Sequence, residues 1–226
     1  MPGAVIFDFD GVIADSEMLH LRAFNKVLGG CGVAISKADY YGDYLGLTDI
    51  DLFKLLAERR ILKADAGPIE ELAEKKTRVF EELARSESTI IEGVADFLQM
   101  LRDNDVRMAI CSGALRGEIE MVLERAGLRE FFEVIVSAEQ VQRGKPEPDG
   151  FLMALKRLND KGSEPLSAGE CVVIEDSHWG LAAARAAGMH TVAVTNSYDA
   201  EQLSMAEKVV NHLGELTMPE LREFWR

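Results

Sequence analysis

The stretch Ala4-Val5-Ile6-Phe7-Asp8-Phe9-Asp10-Gly11 decides the fold. Four apolar residues in a row, without polar alternation and broken by acid, read as a strand buried on both faces that runs out into a loop. The next run of that kind is Val106–Cys111, and every pattern between the two is helical. After Ser16, the residues His20, Phe24 and Val27 lie on one side of a helix, with Leu21 and Leu28 widening the stripe and Gly29-Gly30 stopping it. Ser36 with Asp39, and Thr48 with Asp51, have capping-box spacing and start further short helices. Pro68 opens the longest one, on Ile69, Leu72, Val79, Phe80 and Leu83. The block from 16 to about 88 is therefore expected to be all-helical, inserted after the first strand.

Beyond residue 90 the texture changes. A helix over Val94–Arg102 precedes the strand Val106–Cys111, which ends at Ser112-Gly113. A helix closing at Gly127, a strand Glu133–Ser137 and a helix Asp149–Leu158 follow. Then come a strand Cys171–Ile174, a helix His178–Ala187 ended by Gly188, a strand Thr191–Val194 and a last edge strand at Val209-Val210. Strand and helix alternate, and the strands are apolar on both sides. That is the pattern of an α/β protein, a parallel sheet covered by helices on both faces.

Charge narrows the partners. In 226 residues, 25 Lys+Arg stand against 39 Asp+Glu, a net −14, and such a field repels nucleic-acid phosphates, so no nucleic-acid partner is expected. The three cysteines, Cys31, Cys111 and Cys171, form no CxxC pair, which argues against zinc or a disulfide framework and fits a reducing compartment. Ala4–Phe7 is too short for a signal-peptide core, and no stretch approaches the roughly 20 apolar residues of a membrane span. The expectation is a cytoplasmic protein without a membrane partner, and a monomer by default.

In open parallel sheets, ligands bind at the carboxyl ends of the strands. Asp8, Asp10 and Gly11 follow the first strand and Ser112-Gly113 the second; Gly144-Lys145-Pro146 lies near the third, and Glu175-Asp176-Ser177 follows the fourth. Each piece alone is ordinary: a solvated turn, a Ser-Gly turn, a loop, a helix cap. All four at the ends of one sheet are not. Acids with a lysine and a hydroxyl suit phosphoryl transfer. Asp8, Asp10 and Asp176 make an all-oxygen site fit for Mg²⁺. A carboxylate can attack phosphorus and form an aspartyl-phosphate, and a second can act as acid and then base.

Phe7-Asp8-Phe9-Asp10-Gly11-Val12, Cys111-Ser112-Gly113, Arg143-Gly144-Lys145-Pro146 with Pro148 and Phe151, and Ile174-Glu175-Asp176-Ser177 with Gly180 resemble, in order, the four motifs of the haloacid dehalogenase superfamily. The likeness spans nearly the whole chain and is nearest to members with a small helical cap, of the β-phosphoglucomutase and phosphoglycolate phosphatase type. It implies a Rossmann-like core over 1–15 and 90–226 and a helical cap over 16–89. It implies that Asp8 is the nucleophile and that Asp10 is the acid/base, which also offers Mg²⁺ its backbone carbonyl. It further implies that Ser112, Gly113 and Lys145 bind phosphate, that Asp176 ligates the metal and that Glu175 supports it. Asp10 sets the chain apart from the dehalogenase and phosphonate-cleaving branches, which lack that acid.

In the cap, His20, Thr48 (in Gly46-Leu47-Thr48) and Lys76 match positions that face the substrate in the phosphosugar mutases. The chain departs from those mutases twice. Asp49 stands where they carry an arginine for a second phosphate, and an acid there reverses the sign of recognition. Leu115 stands where they carry a lysine, and Arg116, one position on, is either a substitute for it or a solvated residue at a helix start. The expected activity is a Mg²⁺-dependent phosphatase for a small phosphorylated metabolite, such as a sugar phosphate. A phosphosugar mutase is the alternative, and a non-catalytic binding module on the same fold is less favoured because Asp8 and Asp10 are both present.

Overall fold

The computed structural model describes residues 3–45, 47–87, 89–162 and 164–225. Six strands form one sheet: β1 (Ala4–Phe7), β2 (Arg107–Cys111), β3 (Val134–Val136), β4 (Cys171–Glu175), β5 (His190–Val194) and β6 (Lys208–Val210), in the order β3-β2-β1-β4-β5-β6. Every pairing is parallel. Phe7 sits level with Ile110 on one side and Ile174 on the other, so β2 and β4 each run one residue past the end of β1.

The chain divides into two compact units, Met1–Ala14 with Ile90–Arg226, and Asp15–Thr89. The second unit holds α1 (Glu17–Gly29), α2 (Lys37–Asp39), a π-turn at Tyr40–Tyr44, α3 (Asp49–Glu58) and α4 (Ile69–Glu87), with no strand among its described residues. Ser36 and Thr48 cap α2 and α3, their side chains accepting from the backbone N–H of Asp39 and Asp51. The first unit adds α5 (Val94–Asp103), α6 (Arg116–Ala126), α7 (Asp149–Lys161), α8 (His178–Ala186) and α9 (Met218–Phe224).

The two-sided burial read from β1 is visible residue by residue. Val5 and Phe7 join one core with Phe97, Leu98 and Leu101 of α5 and Ile119 and Leu123 of α6. Ala4 and Ile6 point the other way, into a core with Phe151, Ala154 and Leu158 of α7 and Ala183 and Ala184 of α8. Phe7 meets Phe97 and Phe132 edge-on, with ring centroids 6.1 and 5.9 Å apart. Each large apolar side chain buried this way contributes about 1.5–3 kcal/mol, which is why a four-residue strand can anchor the sheet's centre.

Boundaries differ modestly from the sequence reading. β2 begins at Arg107 and β3 is trimmed to Val134–Val136, whereas α7 runs on to Lys161. The informative difference is β4, which takes in Glu175 as a fully buried last residue, although an acid reads as the strand's end. No helix among the described residues is long and apolar enough to cross a membrane.

Candidate active site

Because β1, β2 and β4 end within one residue of one another, the residues that follow them land in one neighbourhood. The Asp8 N–H donates to Ile174 O at 2.9 Å, continuing the ladder and fixing the Asp8 backbone beside β4. Asp8, Glu175 and Asp176 each offer a carboxylate oxygen, and these lie within 4.8 Å of one another. The Lys145 ammonium stands among them, 2.8 Å from Asp8 Oδ1 and 2.5 Å from Glu175 Oε1. The lysine is held by its own loop: the Arg143 guanidinium grips Asp149 at the head of α7, the Glu147 N–H donates to Gly144 O at 3.0 Å, and Nζ lies 5.3 Å from the Phe151 ring centroid.

Glu175 is the most tightly held group. Its Oε2 accepts from the Asp176 and Ser177 backbone N–H groups and from the Ser177 hydroxyl, at 3.0, 2.9 and 2.9 Å. Ser177 also caps α8, its Oγ accepting from the Gly180 N–H at 3.1 Å. A buried carboxylate needs this much hydrogen bonding, since an unpaired one costs several kcal/mol (on the order of 3–5 after removal of a partner).

Electrostatics follow from one cation shared by two acids. Burial pushes the Asp8 carboxyl up to about 7; Lys145 opposes the rise, and Glu175 and Asp10 reinforce it. Against the burial that disfavours its charge, Lys145 is held above the ordinary lysine range by Asp8 and Glu175. The same burial drives the Cys111 thiol up to about 12, so this neighbouring sulfur is no thiolate at neutral pH. The surplus of carboxylate over ammonium, with all donors oxygen, fits a hard divalent cation such as Mg²⁺.

The other site residues fall as follows. Asp10 lies in the same loop, half-buried, outside the group of three close carboxylates. Ser112 is buried at the end of β2; its N–H donates to Val136 O and its Oγ accepts from the Ala114 N–H, both at 3.0 Å. Gly113 is exposed beside it, and a Cβ there would meet nothing within 4 Å. Arg116 is not available as a substitute for the lysine missing at Leu115. Its guanidinium is tied to Glu120 at 2.5 Å and to Ile135 O at 3.1 Å.

Within the helical unit, the residues of interest cluster too. Lys76 is 0% exposed, so it does not snorkel to solvent, the ordinary behaviour of a lysine on an apolar stripe. Its Nζ lies 2.6 Å from His20 Nδ1, 2.8 Å from Asp49 Oδ1, and about equally far from the Phe24 and Phe80 rings, 4.9 and 5.0 Å from their centroids. His20 stacks on Phe80 at 4.0 Å. Asp49, read from sequence as a repelling acid, is therefore the counter-ion of a buried lysine. Thr48 spends its hydroxyl on capping α3, and Gly46 lies outside the described residues.

Two residues escaped the sequence reading. Asn196 and Ser197 follow β5; Asn196 Nδ2 donates to Gly11 O at 2.7 Å, and the Ser197 hydroxyl donates to Asp176 Oδ2. Their signal was the same strand-end rule that found the acids, applied to one strand more.

A doubly covered parallel sheet whose strand ends gather Asp8, Glu175 and Asp176, with Lys145 bridging the first two, is an α/β protein with an acidic, lysine-neutralised cluster at its carboxyl edge. Comparison with known proteins makes this specific. Residues 5–194 match the family model of haloacid dehalogenase-like hydrolases, and the chain belongs to that family. A curated relative, the phosphorylated carbohydrates phosphatase of Thermotoga maritima, is 30% identical over 190 residues, covering 84% of this chain and 83% of its own. Among solved structures, CbbY from Rhodobacter sphaeroides in complex with phosphate is 26% identical with a TM-score of 0.88, covering 98% of this chain and 100% of its own. The β-phosphoglucomutase of Clostridium difficile is also 26% identical, with a TM-score of 0.85 over 100% of this chain and 97% of its own. The chain is accordingly an enzyme, a hydrolase of this family.

Proposed function

We propose that this hydrolase is a Mg²⁺-dependent phosphatase acting on a small phosphorylated metabolite, a sugar phosphate or similar ester, through an aspartyl-phosphate on Asp8. The observation that carries the reading is the single ammonium of Lys145 set between Asp8 and Glu175 with Asp176 alongside, a charge arrangement that accommodates an incoming phosphate only with further positive charge. The phosphatase relative and the phosphate-bound CbbY support it.

In this reading Asp8 attacks phosphorus while Asp10 gives its proton to the departing alkoxide. Asp10, now a base, takes a proton from the water that attacks the phosphoaspartate, and inorganic phosphate leaves with Asp8 restored. Lys145, the Ser112 hydroxyl and the Gly113 N–H hold phosphoryl oxygens as charge builds on them. Asp8, Asp176 and the Asp10 carbonyl, with Glu175 in support, would hold Mg²⁺, which would supply positive charge against the mutual repulsion of nucleophile and phosphate. The helical unit, residues 16–89, serves as the cap, and His20, Thr48 and Lys76 with Asp49 tune which ester is accepted.

The decisive experiment follows free phosphate from a panel of monophosphate esters with Mg²⁺ and with a chelator. Metal-dependent release supports the reading, and no release from any ester would refute it. The likeness to β-phosphoglucomutase supports a second reading as a phosphosugar mutase. Conversion of glucose 1-phosphate to glucose 6-phosphate without phosphate release would establish it, but two candidate cations for a second phosphate, Lys76 and Arg116, are already paired with Asp49 and Glu120.

Two variants test individual roles. Asp10→Asn should slow hydrolysis of an alkyl phosphate by about 10²–10⁴-fold, the usual worth of general acid catalysis, and an activated aryl phosphate much less. Equal losses on both would argue against proton donation. Lys76→Ala should reorder the ester panel by changing KM ratios between substrates, and an unchanged order would return Lys76 to a purely structural role in the helical unit.

A further inference from the structure

Three loops, from the ends of β1, β4 and β5, converge on one atom, Asp176 Oδ2. Gly11 approaches so closely that a Cβ there would stand 1.8 Å from this oxygen and 3.0 Å from Ser197 Oγ, and its φ of +73° adds a second reason for glycine. Ser197 donates its hydroxyl to Oδ2, and the adjacent Asn196 donates to the Gly11 carbonyl at 2.7 Å. The loop that carries them is itself fixed, because the Thr195 N–H donates to Val210 O at 3.1 Å and extends the β5–β6 pairing by one residue.

We propose that Ser197 is a positioning residue for the metal site: its hydrogen bond sets the plane of the Asp176 carboxylate, and Asn196 holds the loop against β1 so that this bond is maintained. The inference rests on the Mg²⁺ reading above and adds to it a group outside the four motifs. A carboxylate on a short side chain can rotate about its last bond, and a ligand that must be oriented at the moment of binding binds more weakly. A neighbour that fixes such a ligand typically contributes about 10- to 100-fold in metal affinity. Ser197 comes from a loop 21 residues beyond Asp176, so it couples the end of β5 to the carboxylate that follows β4.

Calorimetric titration with MgCl₂ tests this on the intact chain, alongside the Mg²⁺ concentration giving half-maximal phosphate release. Ser197→Ala should raise the Mg²⁺ Kd and that half-maximal concentration together by about 10- to 100-fold, with kcat at saturating Mg²⁺ falling less than the affinity does. Ser197→Thr keeps the hydroxyl and should stay much nearer the wild type. The melting temperature of each variant without Mg²⁺ reports whether the fold is intact. Equal Mg²⁺ affinity in wild type and Ser197→Ala would overturn the inference, as would a Ser197→Thr variant no better than Ser197→Ala. A wild-type chain that takes up no Mg²⁺ would instead remove the metal reading on which the inference stands.

Discussion

Asp8→Asn is expected to lower phosphate release by about 10⁴-fold or more, because an amide nitrogen cannot take the place of the attacking carboxylate oxygen. The substitution is nearly isosteric. The backbone bond from the Asp8 N–H to Ile174 O does not depend on the side chain, and Lys145 retains Glu175 as its partner. It also removes one of the two carboxylates that share the Lys145 ammonium, in a cluster that holds a third, so the fold without metal should be at least as stable as before. Two measurements settle the matter: rate of phosphate release, and capture of the phosphoryl group on the protein in a rapid acid quench. A variant keeping more than about 1% of wild-type turnover would refute covalent catalysis by Asp8, since that residual is far above what loss of a nucleophile leaves.

Gly180→Ala is the second large effect, and here two opposing terms must be weighed. Alanine in place of glycine inside a helix is ordinarily favourable by about 1 kcal/mol. At position 180 the added Cβ would stand 1.6 Å from Glu175 Oε1 and 1.9 Å from its Cδ. Neither side can yield cheaply. Glu175 is fully buried and fastened through both oxygens, and the Gly180 N–H is itself engaged by the Ser177 cap. Displacing Glu175 strands Lys145 with one carboxylate fewer and leaves two backbone N–H groups without an acceptor. The expected net loss is about 3–5 kcal/mol, the range for breaking a buried ion pair, and it exceeds the helix-propensity gain several-fold. Chemical denaturation reads the stability, and activity should fall at least about 100-fold as the Lys145 position is lost. Stability within about 1 kcal/mol of wild type would mean that Glu175 is not held as described.

Much of the fold was legible because parallel strands covered on both sides leave a plain trace. Ala4–Phe7 and the Cys171–Ile174 run each sit in the middle of the sheet, where both faces demand apolar residues. The site was legible for a related reason. Polar side chains that begin where a buried strand stops have few places to be except the carboxyl edge, so Asp8, Glu175 and Asp176 announced themselves by position, and Lys145 by the loop that follows β3. Glu175 exposes the limit of that logic: a carboxylate extends a buried strand when a lysine 30 residues earlier reaches it, which no local pattern encodes. Lys76 shows the same limit in the helical unit. Whether a lysine on an apolar stripe snorkels or stays inside depends on Asp49, 27 positions away on another helix. Asn196 and Ser197 look like any turn, and only their partners Gly11 and Asp176 mark them out.

The sequence by itself determined the sheet, the helical insertion after β1 and the set of acids facing one edge, because burial on one or two faces is written into residue spacing. Tertiary structure alone decided which charges neutralise one another: Lys145 between Asp8 and Glu175, Lys76 on Asp49, Arg116 on Glu120. Electrostatic energy depends on distance through space and on exclusion of water, and neither quantity is a function of separation along the chain.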